Sequence, residues 1–264
     1  MKIILDANIL RGKPTSFFKN FDGELIIPKI ALNEILTNEE WASDDNDLHI
    51  GILRKIAING YDKFKLMQPE DIILTWSGIN WLPPLPSQTY MTDKIDDILI
   101  PGNNFQQVLE LVKRDVKRSE YEKEFVPAIK QLTDKIASKY PQLKRKDKMF
   151  IELDENLKGF LREIAISVYT HKLSAYLRRV HQIKDPNTLA FMLNRISFGD
   201  NLVIDVFAAY LYFRTGDTAK KNDQFDIKYP FYCHFGDALW TRDELIRMLL
   251  EDQLNRSDLL YKET

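Results

Sequence analysis

The chain has one cysteine, Cys233, and no marked excess of either charge, with 37 Lys and Arg against 39 Asp and Glu in 264 residues. A single cysteine excludes an internal disulfide and suits a reducing compartment. The near balance of charge excludes a global basic field, so any nucleic-acid contact has to come from a local patch. No apolar run approaches the roughly 18 residues of a membrane span. In "MKIILDANIL" Asp6 interrupts the apolar start too early for a signal peptide. These absences together predict a cytoplasmic protein with no membrane partner. Internal repeats and low-complexity tracts are missing as well. At 44% hydrophobic and 29% charged residues, the composition excludes disorder and provides for a substantial core.

What is present is an α/β pattern at both ends of the chain. "IILD" reads as a short buried strand, and "LII" in "GELIIPKIALNEIL" as a second. After it, Ile30, Ala31, Glu34, Ile35 and Asn38 follow helical three-and-four spacing, with Pro28 suited to the first turn. From about 46 to 199 the periodicity is helical, broken by one proline- and tryptophan-rich loop around Trp76 and Trp81. A long amphipathic helix runs through Leu161, Ile164, Val168, Leu173, Tyr176, Leu177 and Val180, and Asp185 with Pro186 starts another. "NLVIDVFAAYLYFRTG" is an apolar helix closed by Gly216. "DALWT" is a last short strand, running into an acid-capped helix, "RDELIRMLL". The pattern predicts an α/β core from 1–45 and 200–264 around an all-helical insertion, 46–199.

Carboxylates gather at the ends of the core elements. Asp6 follows the first strand, Glu34 borders the apolar face of the next helix, Asp223 and Asp226 precede a buried-looking aromatic segment, and Asp243 follows the last strand. Taken singly, Asp6 and Asn8 are ordinary turn formers, Glu34 an exposed helical acid, and the later aspartates helix caps. Taken together, they exceed what turn chemistry requires. Open α/β sheets place sites at the carboxyl ends of their strands. Clustered carboxylates raise one another's pKa, and an oxygen-only set without histidine favours magnesium or manganese over zinc.

In this order the motifs resemble PIN-domain nucleases, in particular the larger bacterial type with a helical insertion: "LDAN" after the first strand, "IPKIALNEIL" with its Glu, and "FDIKYPFYCHFGDALWTRD" with an Asp and a T-x-D. The resemblance implies a PIN-like Rossmannoid core with a short parallel sheet. It implies a metal site of Asp6, Glu34, Asp226 and Asp243, with Asp223 sharing or replacing Asp226 and with Asn8 and Thr241 in support. It further implies a magnesium- or manganese-dependent endoribonuclease of toxin or defence-effector type, acting on single-stranded RNA and open to an inhibitory or targeting protein partner. Lys144, Arg145, Lys146, Arg178 and Arg179 are the candidate phosphate contacts on the insertion. Two rival functions stand beside it. One is a PIN-like module that binds nucleic acid or protein without catalysis. The other is a phosphotransferase of haloacid dehalogenase type, which would want an Asp where Asn8 stands. A thiol enzyme built on Cys233 and His234 is disfavoured because adjacent residues seldom face each other.

Overall fold

The computed structural model describes residues 1–28, 30, 31, 34, 64–65, 69–79, 118–144, 149–196, 202–220, 222–234 and 236–262. Four strands, β1 (Lys2–Leu5), β2 (Glu24–Pro28), β3 (Phe64–Lys65) and β4 (Ala238–Trp240), form a parallel sheet in the order β3-β2-β1-β4. Ile3, Ile4 and Leu5 are all fully buried rather than alternating, as expected for a central parallel strand covered on both faces. In register, Ile3 lies opposite Leu25 on one side and Ala238 on the other, and Leu5 lies opposite Trp240.

The helices follow from local signals. α1 (Ala7–Gly12) is capped by Asp6, and α2 (Thr15–Asn20) follows after Pro14. α3 (Pro69–Trp76), α4 (Arg118–Lys139) and α5 (Glu155–Arg179) come next, and α6 (Pro186–Arg195) begins as its sequence predicts, with the Asp185 carboxylate accepting the Thr188 N–H at 2.7 Å. α7 (Leu202–Arg214) is buried nearly all round, from Val203 to Tyr212, and serves as the central post of the molecule. α5 packs along α7, with Leu161, Ala165, Tyr169, Leu173 and Leu177 forming a buried row at a spacing of four residues. Tyr169 meets Phe207 edge to face at 5.3 Å between ring centroids. A short helix α8 (Asp223–Asp226) and α9 (Glu244–Met248) complete the set. Buried side chains of the sheet, α5 and α7 belong to one continuous apolar cluster. Among the described residues no helix is long and apolar enough to cross a membrane.

Five details differ from the sequence reading. Pro28 is the last residue of β2 rather than the first turn of a helix, a strand end being one of the places where its missing N–H is tolerated. The link between β1 and β2 is not plain connection but holds α1 and α2. The stretch 46–199 is not all helical, since β3 extends the sheet by pairing Phe64 and Lys65 with Ile27 and Pro28. On α5 the buried row runs through Ala165 and Tyr169, while Val180 is exposed. Trp76, expected in a loop, is the last residue of α3, and Trp81 lies outside the described residues.

Two glycines should respond to alanine with opposite signs. Gly216 ends α7 in the left-handed region, at φ +84°, and an added Cβ would stand 3.2 Å from the Lys144 backbone. Gly216→Ala should therefore destabilise by about 1 kcal/mol or more. Gly159 lies inside α5 with open space around it, and Gly159→Ala should stabilise by about 0.5–1 kcal/mol. Urea unfolding of both variants measures the pair.

Candidate acidic site at the carboxyl ends of the strands

The strand order reverses direction at β1: the chain moves outward from β1 to β2 and β3, then crosses back to place β4 on the other side. Such a switch point leaves a crevice beyond the carboxyl ends of the two central strands. Asp6 follows β1 at this point, and Thr241, Arg242 and Asp243 follow β4.

Asp6 is buried, and its carboxylate is fixed from two directions. Oδ1 caps α1 by accepting the backbone N–H groups of Asn8 and Ile9. Oδ2 accepts the hydroxyl of Thr241, and the Thr241 oxygen accepts the Asp243 N–H at 2.9 Å. Asp243 in turn caps α9, its Oδ1 accepting the Ile246 N–H at 2.9 Å. One hydrogen-bonded chain thus runs from α1 across the ends of β1 and β4 into α9. Burial raises the pKa of Asp6, and the hydrogen bonds from Thr241, Ile9 and Asn8 offset part of that rise. Thr241 thus holds Asp6 in place by a hydrogen bond. The support from Asn8 is its backbone N–H, which residues of other types would supply equally.

A second bridge enters through Tyr229, which the sequence reading missed. Its hydroxyl accepts the Ala7 N–H at 3.2 Å and donates to Glu34 Oε2 at 2.9 Å. Burial, then the nearby Glu34 and Asp6 carboxylates, push the phenol well above its ordinary pKa and keep it a proton donor. The signal was available: a tyrosine three residues after Asp226, in the aromatic run "KYPFYC", must find a partner for its polar tip once buried.

Asp226 and Asp223 separate cleanly. Asp223 is almost fully buried, and its Oδ2 accepts Tyr210 Oη at 2.9 Å, Arg214 Nε at 2.8 Å and the Lys220 N–H at 2.9 Å. Arg214 Nη2 lies 2.8 Å from the same oxygen. That carboxylate is already neutralised. Among the described residues no such clamp reaches Asp226. Burial first, then Asp243, Glu34, Asp223 and Asp6, push its carboxyl up to about 9. The four acids from both ends of the chain therefore share one field, and one of them holds a proton at neutral pH in the absence of another countercharge.

An oxygen-only, mutually repelling set of this kind, Asp6 buried and the other three half-buried, fits a hard divalent cation by chemistry and charge. Among the described residues, no three acidic, His or Cys side chains stand close enough to form a finished ligand cage. Lys144 is exposed beside Gly216, and Arg178 and Arg179 are exposed in the last turn of α5. Arg145 and Lys146 lie outside the described residues. Burial raises the Cys233 thiol to about 12, which leaves no thiolate for nucleophilic chemistry at neutral pH. Comparisons with family models, with curated proteins and with solved structures each find no match.

Two outcomes follow from this geometry. The native state binds the Asp226 proton up to about 9, whereas the unfolded chain releases it near the ordinary 3.8. The native state thus carries more protons between those values, and stability should fall as pH rises through that window in metal-free buffer. Asp226→Asn should flatten that fall, as read from unfolding midpoints across pH. Separately, Tyr229→Phe leaves the buried Ala7 N–H without its acceptor and should cost about 1–3 kcal/mol in urea unfolding.

Proposed function

We propose that the chain is a magnesium- or manganese-dependent phosphodiesterase with a PIN-like core, acting as an endoribonuclease on single-stranded RNA. The observation that carries this reading is the shared field of Asp6, Glu34, Asp226 and Asp243 at the switch point of a parallel sheet. These four carboxylates would hold the cation. A bound divalent cation supplies charge stabilisation at the phosphoryl group and a competent nucleophile at neutral pH. The chain's own contribution is to hold the acids in place. Thr241 and the α1 backbone orient Asp6, Tyr229 orients Glu34, and the α9 cap orients Asp243. Asp226 would have to give up its proton to help hold the cation, so affinity should rise with pH.

Asp223 serves this site from outside it. The Arg214 and Tyr210 clamp fixes the start of α8, and Asp226 closes the same four-residue helix. Of the two aspartates, Asp226 is therefore the ligand in this reading.

With magnesium or manganese, the purified chain should cleave single-stranded RNA, and a chelator should stop it. Asp6→Asn should lower the rate by at least about 10²–10³-fold while the circular dichroism spectrum is retained. Full activity in Asp6→Asn or in chelator would sink the metal-site account. Binding of RNA without cleavage by the wild-type chain would favour the non-catalytic module instead.

A further inference from the structure

On the β4 side of the acidic site the surface changes character. Trp240, the residue before Thr241, packs its ring against Tyr261 at 4.8 Å, Phe17 at 5.2 Å and Phe21 at 6.5 Å between centroids. Beside these rings opens a pocket of about 470 Å³. Phe17, Phe21 and Tyr261, each only half-buried, form its apolar wall, and Ser16, Asn20 and Asp22 its polar rim. The volume lies within the range of small-molecule sites.

Cationic groups lead from the acids to this pocket. Arg242, between Thr241 and Asp243, is exposed, with its guanidinium beside Gly12 at the end of α1. Lys13 comes next in the chain, and its ammonium sits 5.0 Å from the Trp240 ring and 5.1 Å from the Phe17 ring. Along this path the order is carboxylates, Arg242, Lys13, then aromatic rings. The Asp22 carboxylate on the rim repels a phosphate and accepts a hydrogen bond from a base N–H, such as N3–H of uracil, so it selects which end of a nucleotide enters.

We infer that the pocket of Phe17, Phe21 and Tyr261 stacks a base of a single-stranded nucleic acid, while Lys13 and Arg242 hold the phosphates between that base and the acidic site. The inference rests on the nuclease reading only for the position of the strand. Its physical content is positive charge set beside half-buried rings, a combination that holds single strands without sequence readout. β1 runs from Met1, on the pocket wall, to Asp6, about 17 Å of strand rise, and the Phe17 ring packs on Trp240 beside Thr241, so one strand can reach both sites.

The test measures binding and cleavage separately. Fluorescence anisotropy with a short labelled oligouridylate and magnesium gives Kd for the full chain carrying Asp6→Asn, which leaves the probe intact. Adding Phe17→Ala should weaken binding about tenfold. A series of the same oligonucleotide with one abasic position each should contain one member that binds the parent about tenfold more weakly and is insensitive to Phe17→Ala. Phe17→Leu and Tyr261→Leu, which keep apolar volume but lose the ring face, should show the same coupling and guard against a folding defect. Equal losses from Phe17→Ala on every abasic probe, no loss at all, or no binding of the oligonucleotide would overturn the inference. So would capture of an aromatic peptide by this pocket in place of RNA. Base-dependent binding without cleavage by the wild-type chain would overturn the nuclease reading alone. Cleavage without base-dependent coupling would overturn this inference alone.

Discussion

The pairing of β1 with β4 is the constraint on which the rest depends. It joins the Asp6 N–H to the Trp240 carbonyl at 3.1 Å and brings the Thr241 hydroxyl onto the Asp6 carboxylate. Without it β1 would be an edge strand, and Ile3, Ile4 and Leu5 would lose cover. Without it too, Asp243 and Asp6 would have no reason to meet. The same pairing turns the Trp240 ring toward Phe17 and Tyr261, so the acidic cleft and the aromatic pocket are two results of one register.

The molecule handles buried acids in two different ways. Asp223 is given a guanidinium, a phenol and a backbone N–H, the satisfied form of a buried charge. Asp226, in the same four-residue helix, is given mostly other carboxylates and retains a proton instead. Repulsion of that kind is costly to keep for structure alone, because a neutral isostere would remove it. A cation held there, as proposed, would relieve it. Asp6 stands between these extremes, buried but held by hydroxyl and backbone donors.

Much of the core was legible in the residues. The strand at "IILD", the cap at Asp185, the closure at Gly216 and the acid cap of "DELIRM" each carry a local signal that tertiary contacts left unchanged. Pro28 misled because a proline without an N–H suits a strand end as well as a first helical turn. α1 and α2 were missed because each is six residues long, too short to show a period. The acids were legible as a set, through their positions at element ends. Tyr229 and the Arg214 clamp were not, because an aromatic or an arginine in an apolar run says nothing about its partner until the fold brings one 9 or 195 residues away. The choice between Asp223 and Asp226 needed the same information.

The sheet order has a temporal meaning. Thr241 and Asp6 are separated by 235 residues, the longest reach among the contacts that make the site. At translation rates of about 5–20 residues per second, β4 follows β1 out of the ribosome by roughly 10–50 s. During that interval β1 has one flank open, Asp6 lacks the threonine that seats it, and the acids of the early segment have no counterparts. The cleft thus comes into being only once β4 has followed β1 out, and a chain stalled before β4 would carry only the first half of its acids.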